Sequence, residues 1–264
     1  MQRLEFRALD SVHFPPGKAG NVLRGAFGML ASPLPEPARA ADMPSGLADP
    51  PRPFVFRAAR LDGRTFRPGE VFGVEIHIFD LRQRDPHQPM VSIFMNAFAE
   101  LARTGLGPGR ARVELLPAAA SEVQTVDLSA PVAAKAATVF FRTPTELKGN
   151  PVPDQIPFGV LFARVRDRIA TLSNLYGEGP LPVDFKSMGD RAALVRTVRS
   201  ELQYSDVMRK SSRTGQTHGI GGFTGSADYE GELSEFVPWL KAAWWTGVGR
   251  HTVWGNGVID CVLE

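Results

Sequence analysis

Residues 247–257, GVGRHTVWGNG, put four glycines, an arginine and a histidine into one short stretch near the C-terminus. Glycine has no Cβ, so a ligand's backbone can approach closely and successive N–H groups can point at one anion. Arg250 and His251 would add cationic donors, which gives the loop the chemistry to hold a polyanion. The competing use of the same glycines is a tight connection whose backbone needs unusual dihedrals. Neither a Gly-x-Gly-x-x-Gly nor a Gly-x-x-x-x-Gly-Lys-Ser/Thr motif is present, which argues against a nucleotide cofactor.

Two further clusters carry positive charge. In "VMRKSSRTGQTHGIGG", Arg209, Lys210, Arg213 and His218 stand among polar residues and glycines. They suit a phosphodiester backbone, or else decorate a solvated hairpin. In "HFPPGKAGNVLRGAFG", His13, Lys18 and Arg24 surround a turn and a short helix. Arg24 has mostly apolar neighbours, a costly setting unless it pairs, faces a ligand or reaches the surface. His13 ends a strand, where it serves either as a general base or as a hydrogen-bonded structural residue. Arg164 and Arg168 share a helix face, with Asp167 available to neutralise them. His77, within "VFGVEIHIFD", reads as a packing residue. No His-Glu-x-x-His, carboxylate cluster or Ser–His–Asp signature supports a metal or serine hydrolase.

The elements that must position these residues are legible from periodicity. "RLEFRAL" alternates as a strand, and "NVLRGAFGMLAS" reads as a helix with Asn21 as its N-cap. "PFVFRA" and "VFGVEIHIFD" are strands, "MVSIFMNAFAELART" is an amphipathic helix, and "GLGPGRARVELL" is a glycine turn entering a strand. The second half repeats the order. "AATVFFRTPTEL" is a strand and "FGVLFARVRDRIATLSNLYG" a long helix. "ALVRTVRSELQYSDVMR" begins as helix and ends as strand, and "HGIGGFTGSADYEGEL" is a glycine-rich strand or hairpin. "LSEFVPWLKAAWW" is a helix and the terminal loop leads into a last strand. Both halves end alike, in "FAELARTGLGPGRARVEL" and "WLKAAWWTGVGRHTVWGNGVIDCVL". A repeated β-α-β-β-α-β unit predicts an α+β chain of two tandem ferredoxin-like domains, at 1–118 and 135–264, joined by a linker at 119–134.

Composition sets the outer bounds. At 264 residues, 43% hydrophobic and 22% charged, the chain reads as globular. It has no run long enough for a membrane span, and "MQRLEFRALD" is unlike a signal peptide. The single cysteine, Cys261, excludes a disulfide framework and fits a reducing cytoplasm. The net charge is only +2, but arginine outnumbers lysine roughly four to one. Arginine's planar fork pairs with phosphate and stacks on bases, although a GC-rich coding sequence enriches it as well.

Six segments, in this order, carry a resemblance: "GKAGNVLRGAFG", "PRPFVF", "GLGPGRARVEL", "TPTEL", "GGFTGSADYEGELSEFVPWL" and "GVGRHTVWGNG". Together they resemble the CRISPR-associated repeat-RNA processing endoribonucleases of the RAMP superfamily. The resemblance spans most of the chain, and the terminal loop is its most specific part. It implies tandem ferredoxin-like folds that bind a CRISPR repeat RNA hairpin and cut on its 3′ side. The neighbouring 2′-hydroxyl attacks, with no metal and no cofactor, leaving a 2′,3′-cyclic phosphate and a 5′-hydroxyl. It further implies retention of the mature guide with other CRISPR effector subunits as partners.

Such chemistry needs activation of the 2′-hydroxyl and cations at phosphorus. The family often places a general-base histidine on or just after the first helix. This chain has none between residues 14 and 76, and Arg24 and Arg39 stand there instead. Either His13 or His251 supplies a base from a shifted position, or Arg24, Arg250 and then Arg39 act electrostatically. The second solution resembles a divergent branch associated with minimal type IV systems. Under the resemblance, Gly247, Gly249, Gly255 and Gly257 let RNA come close, and Arg250 and Thr252 bind phosphate. Trp254 stacks on a base or packs. Lys18, Arg209, Lys210, Arg213 and His218 hold the RNA. The alternative function is a noncatalytic guide-RNA-binding scaffold subunit.

Overall fold

The computed structural model describes residues 1–30, 50–80, 90–107, 109–147, 154–210 and 217–264. They form two compact units. The first comprises Met1–Gln124, Asn174–Gly179 and Val253–Gly255. The second comprises Thr125–Ser173, Pro180–Thr252 and Asn256–Glu264.

The first unit runs β1 (Gln2–Ala8), β2 (Val12–His13), α1 (Ala19–Leu30), β3 (Phe54–Arg57), β4 (Thr65–Phe66), β5 (Val71–Ile78), α2 (Met90–Thr104) and β6 (Val113–Leu115). Alternation in β1 sends Leu4, Phe6 and Ala8 inward. β1 lies between β5 and β6, antiparallel to both, and β3 pairs with the far side of β5. The order β3-β5-β1-β6 follows from a β-α-β-β-α-β chain, and β2 and β4 form a separate short ribbon. Phenylalanines fill the core. Phe27 stacks on Phe94 with centroids 4.7 Å apart, and Phe6 on Phe72 at 5.5 Å. Each buried ring contributes on the order of 1.5–3 kcal/mol.

The first helix starts two residues before Asn21, so that residue is not its cap. Instead Asp62, from the turn before β4, accepts a hydrogen bond from the Ala19 N–H at 2.8 Å. Burial pushes the Asp62 carboxyl up, while the N–H groups of Ala19 and Lys18 oppose the rise. A cap supplied from 43 residues away leaves no local signal.

The second unit runs β7 (Ala136–Thr145), α3 (Phe158–Tyr176), α4 (Phe185–Ala192), β8 (Arg196–Ser205), β9 (Met208–Lys210), β10 (Thr217–Gly219), β11 (Gly222–Glu230), α5 (Val237–Thr246) and β12 (Ile259–Leu263). The last three residues of α3, 174–176, belong to the first unit. The sheet order β12-β7-β11-β8 repeats that of the first unit, and every pairing is antiparallel. The tandem ferredoxin-like expectation therefore holds.

One expectation for this half does not hold. The stretch 193–209 does not begin as helix. The helix lies earlier, as α4, with Asp184 accepting from the N–H groups of Lys186 and Ser187. Residues 196–205 form a strand paired antiparallel with β11, with one register shift that bulges it at Val198. Val195, Val198 and Leu202 mimic a helical stripe by spacing. Thr197, Val198 and Tyr204 are nevertheless strand formers, and pairing with β11 decides the outcome.

Candidate functional site

The terminal loop is built from the end of α5. Gly247 leaves that helix with φ 72°, and its N–H still bonds the Ala243 carbonyl at 2.8 Å. On α3, Arg168 donates from Nε to the Thr246 carbonyl at 2.8 Å, a cation placed where the helix dipole is negative. The loop closes at its base, where the Val248 N–H bonds the Gly257 carbonyl at 2.8 Å. It is also sewn to the end of β7. The Arg250 N–H bonds the Glu146 carbonyl at 3.0 Å, and the Gly257 N–H bonds the Pro144 carbonyl at 2.9 Å. The Asn256 side chain donates to the Ile220 carbonyl at 2.7 Å.

The protein's own backbone occupies much of the space the glycines leave. A Cβ on Gly249 would lie 2.3 Å from the Glu146 carbonyl oxygen, and one on Gly257 would lie 1.9 Å from that of Val248. Gly247, Gly255, Gly257 and Thr252 are buried. Val253–Gly255 pack within the first unit. There the Trp254 carbonyl sits where a Cβ on Gly20 would be, 1.7 Å away, and Trp254 itself is half-buried.

The loop's charge is organised by one carboxylate. Glu146 accepts from Arg250 Nη1 at 2.9 Å, and its other oxygen lies 3.4 Å from His251 Nε2. Glu146 and His251 are each 21% exposed, while Arg250 is 58% exposed. His251 is held at φ 61°, a left-handed conformation that costs a non-glycine residue on the order of 1 kcal/mol or more. The geometry therefore brings Arg250 and His251 onto one acid, with most of the guanidinium still facing solvent.

The other named residues lie elsewhere. His13 is exposed on β2, and its Nδ1 is 2.9 Å from Thr65 Oγ1. Lys18 precedes α1, and Arg24 is half-buried on that helix. Arg209 and His218 are register partners in the β9–β10 ribbon, as are Lys210 and Thr217. Arg39 and Arg213 lie outside the described residues. Arg166 pairs with Asp167 at 2.9 Å, whereas Arg168 serves the end of α5. His77 is buried, as its place in the strand implies.

Sequence reasoning missed Glu146 and Asp62 as organisers. Glu146 sits inside the quoted "TPTEL", but its partner Arg250 is 104 residues away. Only the folded chain shows the pair.

Comparison with known proteins gives the following. Residues 139–259 match the sequence profile of the family described as CRISPR-associated endoribonuclease Cas6, and residues 30–137 match a second profile described as an N-terminal domain. No curated protein matches the chain by sequence. Among solved structures, a Cas6 product complex is 19% identical with a TM-score of 0.59, covering 99% of this chain and 100% of that one. Thermus thermophilus Cas6 is 17% identical with a TM-score of 0.56, covering 99% and 97%. A partial Cas6-RT-Cas1–Cas2 complex is 11% identical with a TM-score of 0.57, covering all of this chain and 45% of that one. At these identities the structural matches speak for the fold.

Proposed function

We propose that the chain, whose residues 139–259 match the profile of the CRISPR-associated endoribonuclease Cas6 family, is a member of that family and cuts CRISPR repeat RNA on the 3′ side of the repeat hairpin without a metal ion. The 2′-hydroxyl beside the scissile bond loses its proton and its oxygen bonds to phosphorus. The P–O5′ bond then breaks, and O5′ leaves with a proton. The products are a 2′,3′-cyclic phosphate and a 5′-hydroxyl. Negative charge builds on the phosphorane oxygens, and fixed cationic donors there lower the barrier most. Arg24 and Arg250 supply this charge, with Arg39 third, and His13 or His251 is the alternative base. Retention of the cut guide among other CRISPR subunits belongs to the same reading, which the fold shared with a Cas6 product complex and a Cas6-RT-Cas1–Cas2 complex supports.

The observation that carries the proposal is the solvent-facing Arg250 beside His251 on the loop, both on Glu146. With the glycines closed against the protein itself, we assign RNA contact to the side chains around the loop rather than to its bare backbone. A phosphate approaching Arg250 competes with the Glu146 carboxylate. Glu146→Gln keeps the shape and removes the competing charge. It is expected to tighten RNA binding about fivefold at low salt, equivalent to about 1 kcal/mol. Filter binding across a salt series checks this, and weaker binding would instead make Glu146 a support that the loop requires.

The chemistry is tested with the protein's own repeat RNA in excess chelator. One cut with a cyclic phosphate end is expected. A single 2′-deoxy substitution at the cut position is expected to abolish cleavage and leave affinity nearly unchanged. Normal cutting of that substrate overturns the 2′-oxygen mechanism. Binding with no cut to either RNA supports the scaffold reading, which the absence of a histidine between residues 14 and 76 favours.

A further inference from the structure

The strand β8 lies at the edge of its sheet, and among the described residues no other strand pairs with its outer side. It runs for ten residues, and much of its side-chain surface is open. Val198 and Tyr204 are each 52% exposed, and the flanking Leu194 and Met208 are 79% and 48% exposed. These four fall within residues 194–208, although only eleven large apolar side chains are exposed among all the described residues. An open edge with this much apolar surface is a template for another strand.

The sequence of the edge says which strand fits. Let a second copy of β8 pair antiparallel with a two-fold axis through Ser200. Arg199 then faces Glu201 of the second copy and Glu201 faces its Arg199. The register shift at Val198 ends the regular pairing there, so the exposed Val198 and Tyr204 flank these central charge pairs. Cross-strand pairs of opposite charge stabilise a sheet, and covering exposed apolar side chains beside them adds buried area. An axis at Arg199 or at Glu201 instead sets like charges face to face, so only the axis at Ser200 is self-complementary among these three. Within one chain Arg199 and Glu201 already pair with each other, both more than 60% exposed. The dimer exchanges that pair for two cross-strand pairs at little electrostatic cost.

We propose that β8 is the seam of a homodimer in which two four-stranded sheets join edge to edge about Ser200. The inference does not depend on the RNA chemistry above. Sedimentation of the full chain without RNA, from micromolar concentration upward, is expected to show reversible dimerisation. Glu201→Arg puts arginine against arginine at two symmetric places and is expected to weaken association about tenfold or more. The double variant Arg199→Glu/Glu201→Arg restores opposite pairs and is expected to recover it. Register is read by cysteine. In a Cys261→Ser background the chain has no other thiol, so Ser200→Cys is expected to cross-link into a dimer on oxidation. Ser205→Cys, well off the axis, is not. A monomer at every concentration overturns the proposal. So does a dimer that is indifferent to Glu201→Arg and fails to cross-link at position 200. Matching circular dichroism of the double variant and the native chain shows that any loss of dimer is not a loss of fold.

Discussion

Gly257→Ala is expected to destabilise the second unit by roughly 3 kcal/mol or more, and in the stronger case to prevent that unit from folding. Two costs add at this position. The backbone sits at φ 70°, where an L side chain pays about 1–2 kcal/mol. The new Cβ would also lie 1.9 Å from the Val248 carbonyl oxygen, a backbone atom that cannot swing aside. That carbonyl belongs to the rung of the loop where the Val248 N–H bonds Gly257, so moving it opens the base on which Arg250 and His251 stand. Two controls isolate the causes. Gly69 has φ 92° and open space around its missing Cβ, so Gly69→Ala carries the strain alone. Gly109 has neither strain nor a near neighbour, so Gly109→Ala is expected to stay within about 0.5 kcal/mol of the native chain. Thermal unfolding ranks the three. A Gly257→Ala protein that melts like the native chain yet loses RNA binding would mean that the glycine serves a ligand and not the loop's own closure.

That contrast also marks what the sequence can and cannot disclose. The repeated β-α-β-β-α-β order was readable because alternation in β1, β5 and β7 and the amphipathic face of α2 are local signals. The strand β8 was partly misread because the spacing of Val195, Val198 and Leu202 fits a helix, and only the partner β11 settles the matter. The glycine loop was visible as a composition, but the atoms that fill its bare positions come from Glu146 and Val248. Glu146, Asp62 and Arg168 act on groups 104, 43 and 78 residues away. No window of sequence contains both partners, so the organisation of the cations had to wait for the fold.

Arg250→Ala is expected to lower single-turnover cleavage by about 10²–10³-fold, with a much smaller loss of affinity. The reasoning is differential. A guanidinium that touches phosphate in both ground and transition states contributes to binding, and one of many phosphate contacts is worth little. A guanidinium aimed at charge that appears only at the phosphorane acts on the rate. Arg250→Lys keeps the charge and loses the planar fork, so it is expected to fall between the two. Arg24→Ala is expected to behave like Arg250→Ala, while His13→Ala changes the rate little. His251 stands at φ 61°, so its test is His251→Asn, since asparagine tolerates that backbone. The pH profile then distinguishes the two solutions without any substitution. Arginine does not titrate in the accessible range, so the arginine mechanism predicts a rate that keeps rising with hydroxide through neutrality. A histidine base must lose its proton first, so its rate rises with pH only until the imidazole is neutral and then levels. A plateau there, removed by His13→Ala or His251→Asn, would move the base from solvent to that imidazole and leave the arginines only the phosphorane charge.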